Sequence, residues 1–308
     1  MNRLRQRYRP ARDARNRGRH RLRPTLNLLE ARTLLSVAPQ TYNVTNTDDS
    51  GPGSLRAAID SANADSYSDG AIDTIDFAPS LAGQAIDLTT LGSSDFGQSA
   101  LEIKAPIFID GSTAPGLTID RSPTAGTPDM RVFLVANNGN LTLNEVTIAG
   151  GSDYDLHYGG GGIENLGKMT LTGDNFNGNI SASVGGGVDS EGYPNAGSAT
   201  LIDDTFLFNV SDAEGGGAFL GDNETATVTG NTFTDNSATD GGGLETYVGT
   251  ATLMGNTFTG NSATDHGGGL FNVGATLFST DDIFTDNTSA FVGGGLADSG
   301  TATLTGDT

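Results

Sequence analysis

Residues 251–270 read ATLMGNTFTGNSATDHGGGL, and this stretch decides the fold. Apolar residues alternate with threonine and other polar residues, as Ala251, Leu253 and Phe258 show. An alternation with a period of two is typical of β-strands, and no helical period is present. Glycine and asparagine bound the short apolar runs and mark turns. We therefore interpret the stretch as one unit of about three short strands.

The same unit recurs along the chain. Three glycines followed by an apolar residue occur six times, with steps of 25, 30, 26, 26 and 26 residues, and the apolar positions are Ile163, Val188, Ala218, Leu244, Leu270 and Leu296. A second motif, F-x-x-N, keeps the same period at Phe176/Asn179, Phe206/Asn209, Phe233/Asn236, Phe258/Asn261 and Phe284/Asn287. Two motifs that share one period indicate a solenoid.

The repeat predicts an all-β fold, a single-stranded right-handed parallel β-helix over residues 72–308. One unit cannot bury its apolar face alone, so successive coils must stack, about 4.8 Å apart. Stacking predicts a ladder of phenylalanines and a second inward ladder of Leu171, Leu201, Val228, Leu253, Leu277 and Leu304. The asparagine of F-x-x-N is expected in the left-handed region, with stacked amides bonded to one another. The glycine run is expected to supply positive φ and a tight corner.

Residues 39–71 are predicted to form an N-terminal cap. Tyr42 and Val44 alternate with polar residues as on a short strand, and Ser54 is placed to cap a helix. The apolar residues of that helix follow at helical spacing, at Leu55, Ala58, Ile59 and Ala62. Because an open parallel edge pairs with other chains, a strand and a short amphipathic helix are suited to cover the first coil.

These motifs resemble those of known exported proteins. The repeat resembles that of chlamydial polymorphic outer membrane proteins, which pair GGA[IVL] with FxxN, and the wider pectate-lyase-like superfamily. The entry segment resembles the CSLREAI-type module of exported β-helix proteins through Ser54, Leu55, Arg56, Ala58 and Ile59, with Gly53 in place of cysteine and Ala57 in place of glutamate. The resemblance implies the β-helix fold from about residue 40. It leaves function open, because one fold carries many functions.

Residues 1–38 are predicted to be a disordered, arginine-rich leader. They hold 11 of the 16 basic residues and two acidic ones, in a chain whose formal net charge is −21. The end of the leader resembles the LEPRxLL sorting signal of planctomycete-type exported proteins through Leu29, Glu30, Arg32, Leu34, Leu35 and Ser36, with Ala31 in place of proline. This resemblance implies export to the cell surface, the outer membrane or the extracellular space. The alternative is a nucleic-acid-binding arm, which the acidic body disfavours.

Composition narrows the classes further. The absence of cysteine excludes disulfide frameworks and thiolate metal sites. No run of 18 or more apolar residues occurs, so no transmembrane helix is expected. The acidic body is expected to repel nucleic acid, which leaves polysaccharide or other cell-surface proteins as partners. Alignment places Asp307 where Asn256 lies, so the β-helix is expected to stop mid-coil and to self-associate end to end.

The residues predict no catalytic site. A β-elimination lyase needs a strong base beside a carboxylate cluster, and after Arg131 the only Lys or Arg is Lys168, with His157 and His266 besides. A glycosidase needs two carboxylates about 5–9.5 Å apart. Asp174 and Asp204 align in one column, but that column continues as asparagine in later coils, which indicates a turn ladder. Neither the remaining aspartate pairs nor the DHG at residues 265–267 completes a polygalacturonase-type set.

The column directly before the glycine run is the strongest candidate for a metal site. Glu214, Asp240 and His266 occupy it on successive coils, with Asp265 beside them. Carboxylates and an imidazole suit a divalent metal, although exposed corner residues are the plainer interpretation. We therefore assign no catalytic, cofactor or metal residues from sequence, and Ca²⁺ stays an open alternative.

The regularity of the coils favours an exported, non-enzymatic structural or adhesive module. Two alternatives remain, a polysaccharide lyase or glycoside hydrolase of the pectate-lyase-like type and a Ca²⁺-stabilised glycan-binding module. An enzyme would need aromatic platforms beside converging carboxylates. The tyrosines of the repeats that could serve as platforms are Tyr154, Tyr158, Tyr193 and Tyr247.

Overall fold

The computed structural model describes residues 38–66, 71–154, 156–191, 197–221 and 224–308. The predicted sorting signal at residues 29–36 and Tyr193 lie outside these ranges. The described residues contain one α-helix, Leu55–Ser66 (α1), and one short 3₁₀ helix, Pro79–Leu81. No helix in these ranges is long and apolar enough to cross a membrane.

All other regular elements are short strands. The strands up to the first glycine run are β1 Thr41–Val44, β2 Asp73–Phe77, β3 Ala85–Leu88, β4 Ser99–Ile103, β5 Pro106–Asp110, β6 Thr118–Arg121, β7 Arg131–Val135, β8 Asn140–Asn144, β9 Thr147–Ala149 and β10 Ser152–Asp153. The strands from the first glycine run to Leu220 are β11 Ile163–Asn165, β12 Lys168–Thr172, β13 Asn175–Asn177, β14 Ile180–Ser181, β15 Val188–Ser190, β16 Ser198–Ile202, β17 Thr205–Leu207, β18 Val210–Ser211 and β19 Ala218–Leu220. The remaining strands are β20 Thr225–Thr229, β21 Thr232–Thr234, β22 Ser237–Asp240, β23 Leu244–Tyr247, β24 Thr250–Met254, β25 Thr257–Thr259, β26 Ser262–His266, β27 Leu270–Val273, β28 Thr276–Thr280, β29 Ile283–Thr285, β30 Thr288–Ser289, β31 Leu296–Asp298 and β32 Thr301–Thr305.

The strands form four parallel sheets, each with one strand per coil. Sheet I has ten strands in the order β1-β2-β5-β8-β12-β16-β20-β24-β28-β32, and sheet II runs β3-β6-β9-β13-β17-β21-β25-β29. Sheet III has six short strands, β10-β14-β18-β22-β26-β30, and sheet IV runs β4-β7-β11-β15-β19-β23-β27-β31. The predicted right-handed parallel β-helix is confirmed. Three strands per coil hold for the first coils, and sheet III adds a short fourth strand from Ser152 onward.

The two repeat motifs align as predicted. The residue after the glycine run pairs from coil to coil, from Ile163 through to Leu296. The phenylalanines of F-x-x-N stack inside the β-helix with ring centroids 4.7 to 4.9 Å apart and nearly parallel planes. Stacking of buried aromatic rings stabilises the ladder beyond what the burial of their surface contributes. This stack fixes the register of sheet II, since a slip of one residue would turn every ring outward.

A buried asparagine ladder follows the phenylalanine stack. Asn236 is typical: its Nδ2 donates to Phe206 O at 2.9 Å and to Asn261 Oδ1 at 2.9 Å, and its Oδ1 accepts from Asn209 N at 2.9 Å. Each side chain thus bonds two backbone groups of the preceding coil and the amide oxygen of the next coil, so its buried polar atoms are satisfied.

The predicted left-handed geometry of these asparagines is wrong. The residue one position earlier takes the positive φ: the five are Gly178, Phe208, Asp235, Gly260 and Asp286. The asparagine itself must turn inward to bond adjacent coils, so the residue before it closes the turn. The glycine run behaves as predicted, with positive φ at its first member, such as Gly241.

One member of the predicted aliphatic ladder is also wrong. Leu253 pairs with Ser279, while Leu277 pairs with Ala251 and belongs to the adjacent inward ladder. Ser279 stands three residues before Asp282 and donates its hydroxyl to the Asp282 carboxylate at 2.6 Å. The turn residue, rather than the apolar residue alone, therefore sets the register.

The N-terminal elements match the sequence prediction. β1 pairs with β2 and extends sheet I beyond the first coil. Ser54 Oγ accepts from Ala57 N at 3.2 Å and caps α1. The helix buries Leu55, Ala58, Ile59 and Ala62 in the same core cluster as the first coil.

Candidate functional site

The glycine corner brings two columns of side chains together. The first column lies directly before the glycine run, where Glu214, Asp240 and His266 pair across coils, as predicted. The second column is the middle residue of sheet IV, which runs Glu164, Asp189, Phe219, Glu245, Phe271 and Ala297. We call this pair of columns the corner groove. Side chains of the second column point away from the core, yet Glu164, Asp189 and Glu245 are all buried.

The missing glycine side chains create this burial. A Cβ on Gly241 would lie 2.7 Å from Glu245 Cβ, and a Cβ on Gly267 would lie 2.7 Å from Phe271 Cβ. The chain therefore folds back tightly over the sheet IV residue. This burial could not be predicted from the sequence, because strand alternation alone cannot show that a corner covers the outer face.

At the N-terminal end of the corner groove, a fully buried arginine lies close to two buried acids. Arg131 Nη2 lies 3.1 Å from Asp153 Oδ2 and 3.9 Å from Glu164 Oε2, and all three side chains are buried. Arg131 Nη1 donates to Phe96 O, which holds the 92–98 loop against the β-helix. Arg131 is the residue that sequence reasoning missed. A signal for it does exist in the repeat. When Phe133 is aligned with Ile163, Arg131 falls at the position of the middle glycine of the later glycine runs.

The acids of this cluster outnumber the guanidinium. Burial is the largest cause that raises the pKa of Glu164 to about 7, while the Arg131 charge lowers it. Burial and the neighbouring Glu164 charge raise the pKa of Asp189 well above its ordinary value. Glu164 and Asp189 pair directly across β11 and β15. Burial and the repulsion between the two carboxylates therefore both favour the protonated forms of this pair.

A cleft of about 540 Å³ opens beside Arg131. Its lining residues are Gln98, Pro128, Asp129, Asp153, Tyr154, Leu156 and His157. Two loops close over the cluster there, since Phe96 contacts Tyr158 edge to face at 5.7 Å. Asp153 belongs both to the cleft wall and to the Arg131 ion pair. The cleft thus combines carboxylates, an imidazole and an exposed tyrosine, which are groups that bind hydroxyl-rich ligands.

The predicted metal candidates also meet in the corner groove. His266 Nδ1 lies 2.9 Å from Asp240 Oδ1 and 3.8 Å from Asp265 Oδ2. Glu214 lies in the same column as Asp240, and both carboxylates add to the rise that burial causes in the pKa of Glu245, to about 9. Tyr247, a predicted platform, lies against Phe219 on the outer face of sheet IV rather than beside these acids.

The column of Asp174 and Asp204 is a turn ladder, as predicted. Asp204 Oδ1 accepts from Asp174 N at 2.8 Å, and Asn231 Oδ1 accepts from Asp204 N at 2.8 Å. The ladder continues through Asn256, Asp282 and Asp307. Both carboxyls are buried, and burial raises the pKa of Asp174 to about 7 and that of Asp204 to about 8. Buried backbone-bonded carboxyls have no access to a substrate.

No known protein-family model matches the chain, and no curated protein matches its sequence.

Proposed function

We propose that the chain is an exported structural or adhesive β-helix module that works at the cell surface or in the extracellular space without catalysis. The observation that carries the proposal is the unbroken lattice of sheet I. Outward threonines repeat there in register: Thr225 pairs with Thr250, and Thr227 pairs with Thr252. These four side chains are exposed. The row of Thr225 and Thr250 continues through Thr276 and Thr301, whereas the exposed Phe278 follows Thr252 in the second row.

Such a threonine face is suited to adhesion. The β-branched side chains favour extended backbone and hold few rotamers, so their hydroxyls are ordered before any partner arrives. Ordered donors and acceptors lose little conformational entropy when they bind a glycan or another solenoid. The body is acidic, which favours neutral polysaccharides or basic protein surfaces over nucleic acid.

The experiment is binding of the purified chain to a polysaccharide panel and to cell envelopes, with product analysis of every glycan. We expect binding without release of oligosaccharides. Thr227→Lys together with Thr252→Lys on the face should reduce binding at least tenfold. Thr264→Lys, an exposed threonine on sheet III, is the matched control and should bind like the unaltered chain. Turnover of any glycan, or equal binding by the face variant and the control, contradicts the proposal.

The cleft beside Arg131 favours a second candidate, a polysaccharide-binding or polysaccharide-cleaving module. Asp129, Asp153 and His157 line one cleft, and Tyr154 is 59% exposed there, so a sugar ring could stack on it. In that case, Tyr154→Ala and His157→Ala would remove binding or turnover while the threonine variants would not. The two variant sets therefore distinguish the two functions.

A further inference from the structure

Near its C-terminal end, the corner groove brings two carboxylates and an imidazole together, with the acids Glu214 and Glu245 on neighbouring positions. Asp240, Asp265 and His266 offer ligand atoms that all lie within 4.8 Å of one another. For metal–ligand bonds of about 2.1 Å, neighbouring ligands lie roughly 3.0–3.5 Å apart, so these atoms need only a small shift to share one ion. All three side chains are partly exposed, which gives an ion access from solvent.

A β-bulge aims two of these side chains. β22 and β26 pair regularly at Ala238 and Ala263, but the next pair is Asp240 with His266. Between these two pairs, β26 has one residue more than β22. The extra residue lets both Asp265 and His266 approach Asp240. The bulge directly precedes the pair in which Asp240 is followed by His266 in the column. Bulges of this kind re-aim side chains at sites.

Glu245 supplies an independent observation. It is only 2% exposed, and its Oε2 has no hydrogen-bond partner among the described residues. Its Cβ packs over Gly241, directly after Asp240, and its carboxyl interacts electrostatically with Glu214 and Asp240. A buried carboxylate without a donor is costly unless a proton or a cation compensates it. The carboxyl thus lies buried within electrostatic range of the acidic column.

We propose that Asp240, Asp265 and His266 form a binding site for one divalent transition-metal ion, such as Zn²⁺ or Mn²⁺, with Glu214 and Glu245 as neighbouring negative groups that strengthen its attraction. The imidazole decides the class, because Ca²⁺ takes oxygen ligands whereas nitrogen ligands suit Zn²⁺ and Mn²⁺ better. The ion would replace the proton between His266 Nδ1 and Asp240 and would neutralise part of the acidic column. It would also join the two neighbouring coils that carry Asp240 and His266.

The experiment is calorimetric titration of the chelator-treated full chain with Zn²⁺, Mn²⁺ and Ca²⁺ separately, together with thermal unfolding in each ion. We expect one Zn²⁺ or Mn²⁺ per chain, a concentration-dependent rise in melting temperature, and at least tenfold weaker Ca²⁺ binding. His266→Gln should weaken the transition-metal affinity at least tenfold, and Glu245→Gln, which removes a neighbouring charge, should weaken it by a smaller factor. Asp235→Asn is the matched control: it removes one charge in the same coil at an exposed left-handed position that asparagine tolerates.

Several outcomes would overturn the proposal. They are no saturable Zn²⁺ or Mn²⁺ binding, Ca²⁺ binding as tight as theirs, or an affinity that His266→Gln leaves unchanged. Paramagnetic broadening by Mn²⁺ in the unaltered chain tests the location without any variant. Broadening of the His266 and Glu245 signals supports the site, and broadening elsewhere alone contradicts it. Neither result depends on adhesion, so this proposal and the proposed function fail independently.

Discussion

At the scale of single residues, the ladders contain acids where amides would fit better. Asn231 Nδ2 donates to Leu201 O at 3.0 Å and to Asn256 Oδ1 at 3.1 Å. Asp204 occupies the equivalent position one coil earlier and lacks this donor. Its carboxyl instead accepts from Asp174 N and from Ile202 N, at 2.8 and 3.1 Å. Burial, followed by the Asp174 charge, raises the pKa of Asp204 to about 8.

Asp204→Asn should therefore stabilise the chain at pH 8. The new amide can donate to the backbone carbonyl of the previous coil and to Asn231, and it needs no proton to stay neutral. We expect a gain of about 1–3 kcal/mol in the free energy of unfolding at pH 8, and a smaller gain at pH 5, where Asp204 is already protonated. Denaturant unfolding at both pH values measures this difference.

Asp203→Asn is the control for that substitution. Asp203 is the exposed neighbour of Asp204, with φ 55°, and its replacement removes the same formal charge. It should change the stability by less than about 0.5 kcal/mol. Equal effects of the two substitutions at pH 8 would show that long-range charge, rather than the ladder position, governs stability.

At the scale of elements, the glycine corner is the device that shapes the molecule. Backbone from the next coil occupies the space where its side chains would stand. A Cβ on Gly216 would lie 2.3 Å from Gly242 O and 2.5 Å from Ser237 O. The period of this motif predicted the corners and the stacking order. It could not predict that the corner covers the outer face of sheet IV, since that burial arises from residues of adjacent coils.

Gly216→Ala should destabilise the β-helix strongly. Both contacts are to backbone oxygens, which cannot move without breaking the ladder, so we expect a loss of about 3 kcal/mol or more and a fall in melting temperature of roughly 6–12 °C. Thermal unfolding followed by circular dichroism measures it. Gly255→Asn is the matched control, because that position has open space and φ 65°. A cost within about 1 kcal/mol is expected there. A mild effect of Gly216→Ala would contradict the close packing of the corners.

At the scale of the whole molecule, burial raises the pKa of several acids enough to make stability depend on pH near neutrality. Burial raises the pKa of Asp174 to about 7, and that of Asp204 and Glu224 to about 8. An unfolded chain would ionise these groups near pH 4. Composition alone could not predict this, because it gives the number of acids but not their burial. The overall fold, in contrast, followed from two motifs, and only the register at Leu277 and the left-handed positions were wrong.

Stability should consequently fall as pH rises from 5 to 8.5. Between about pH 4 and pH 8, the folded state binds protons that the unfolded state releases, so each unit of pH favours unfolding. We expect a melting temperature about 10 °C lower at pH 8.5 than at pH 5, in chelator-containing buffer of constant ionic strength. A chain carrying both Asp174→Asn and Asp204→Asn should show a flatter profile. A profile that rises with pH would contradict the protonated state of these carboxyls.

The stacked phenylalanines and asparagines have a consequence for the history of the chain. Each coil offers its neighbours the same ring above and the same amide below, so an interior coil can be copied without altering any contact between the coils that were there before. Duplication of a 25- or 26-residue block would lengthen the molecule by one strand spacing and leave its cross-section unchanged. Duplication can therefore change the length of the molecule in equal steps of one coil. In each copied coil, the residue beside the glycine corner can vary without disturbing the stacked core.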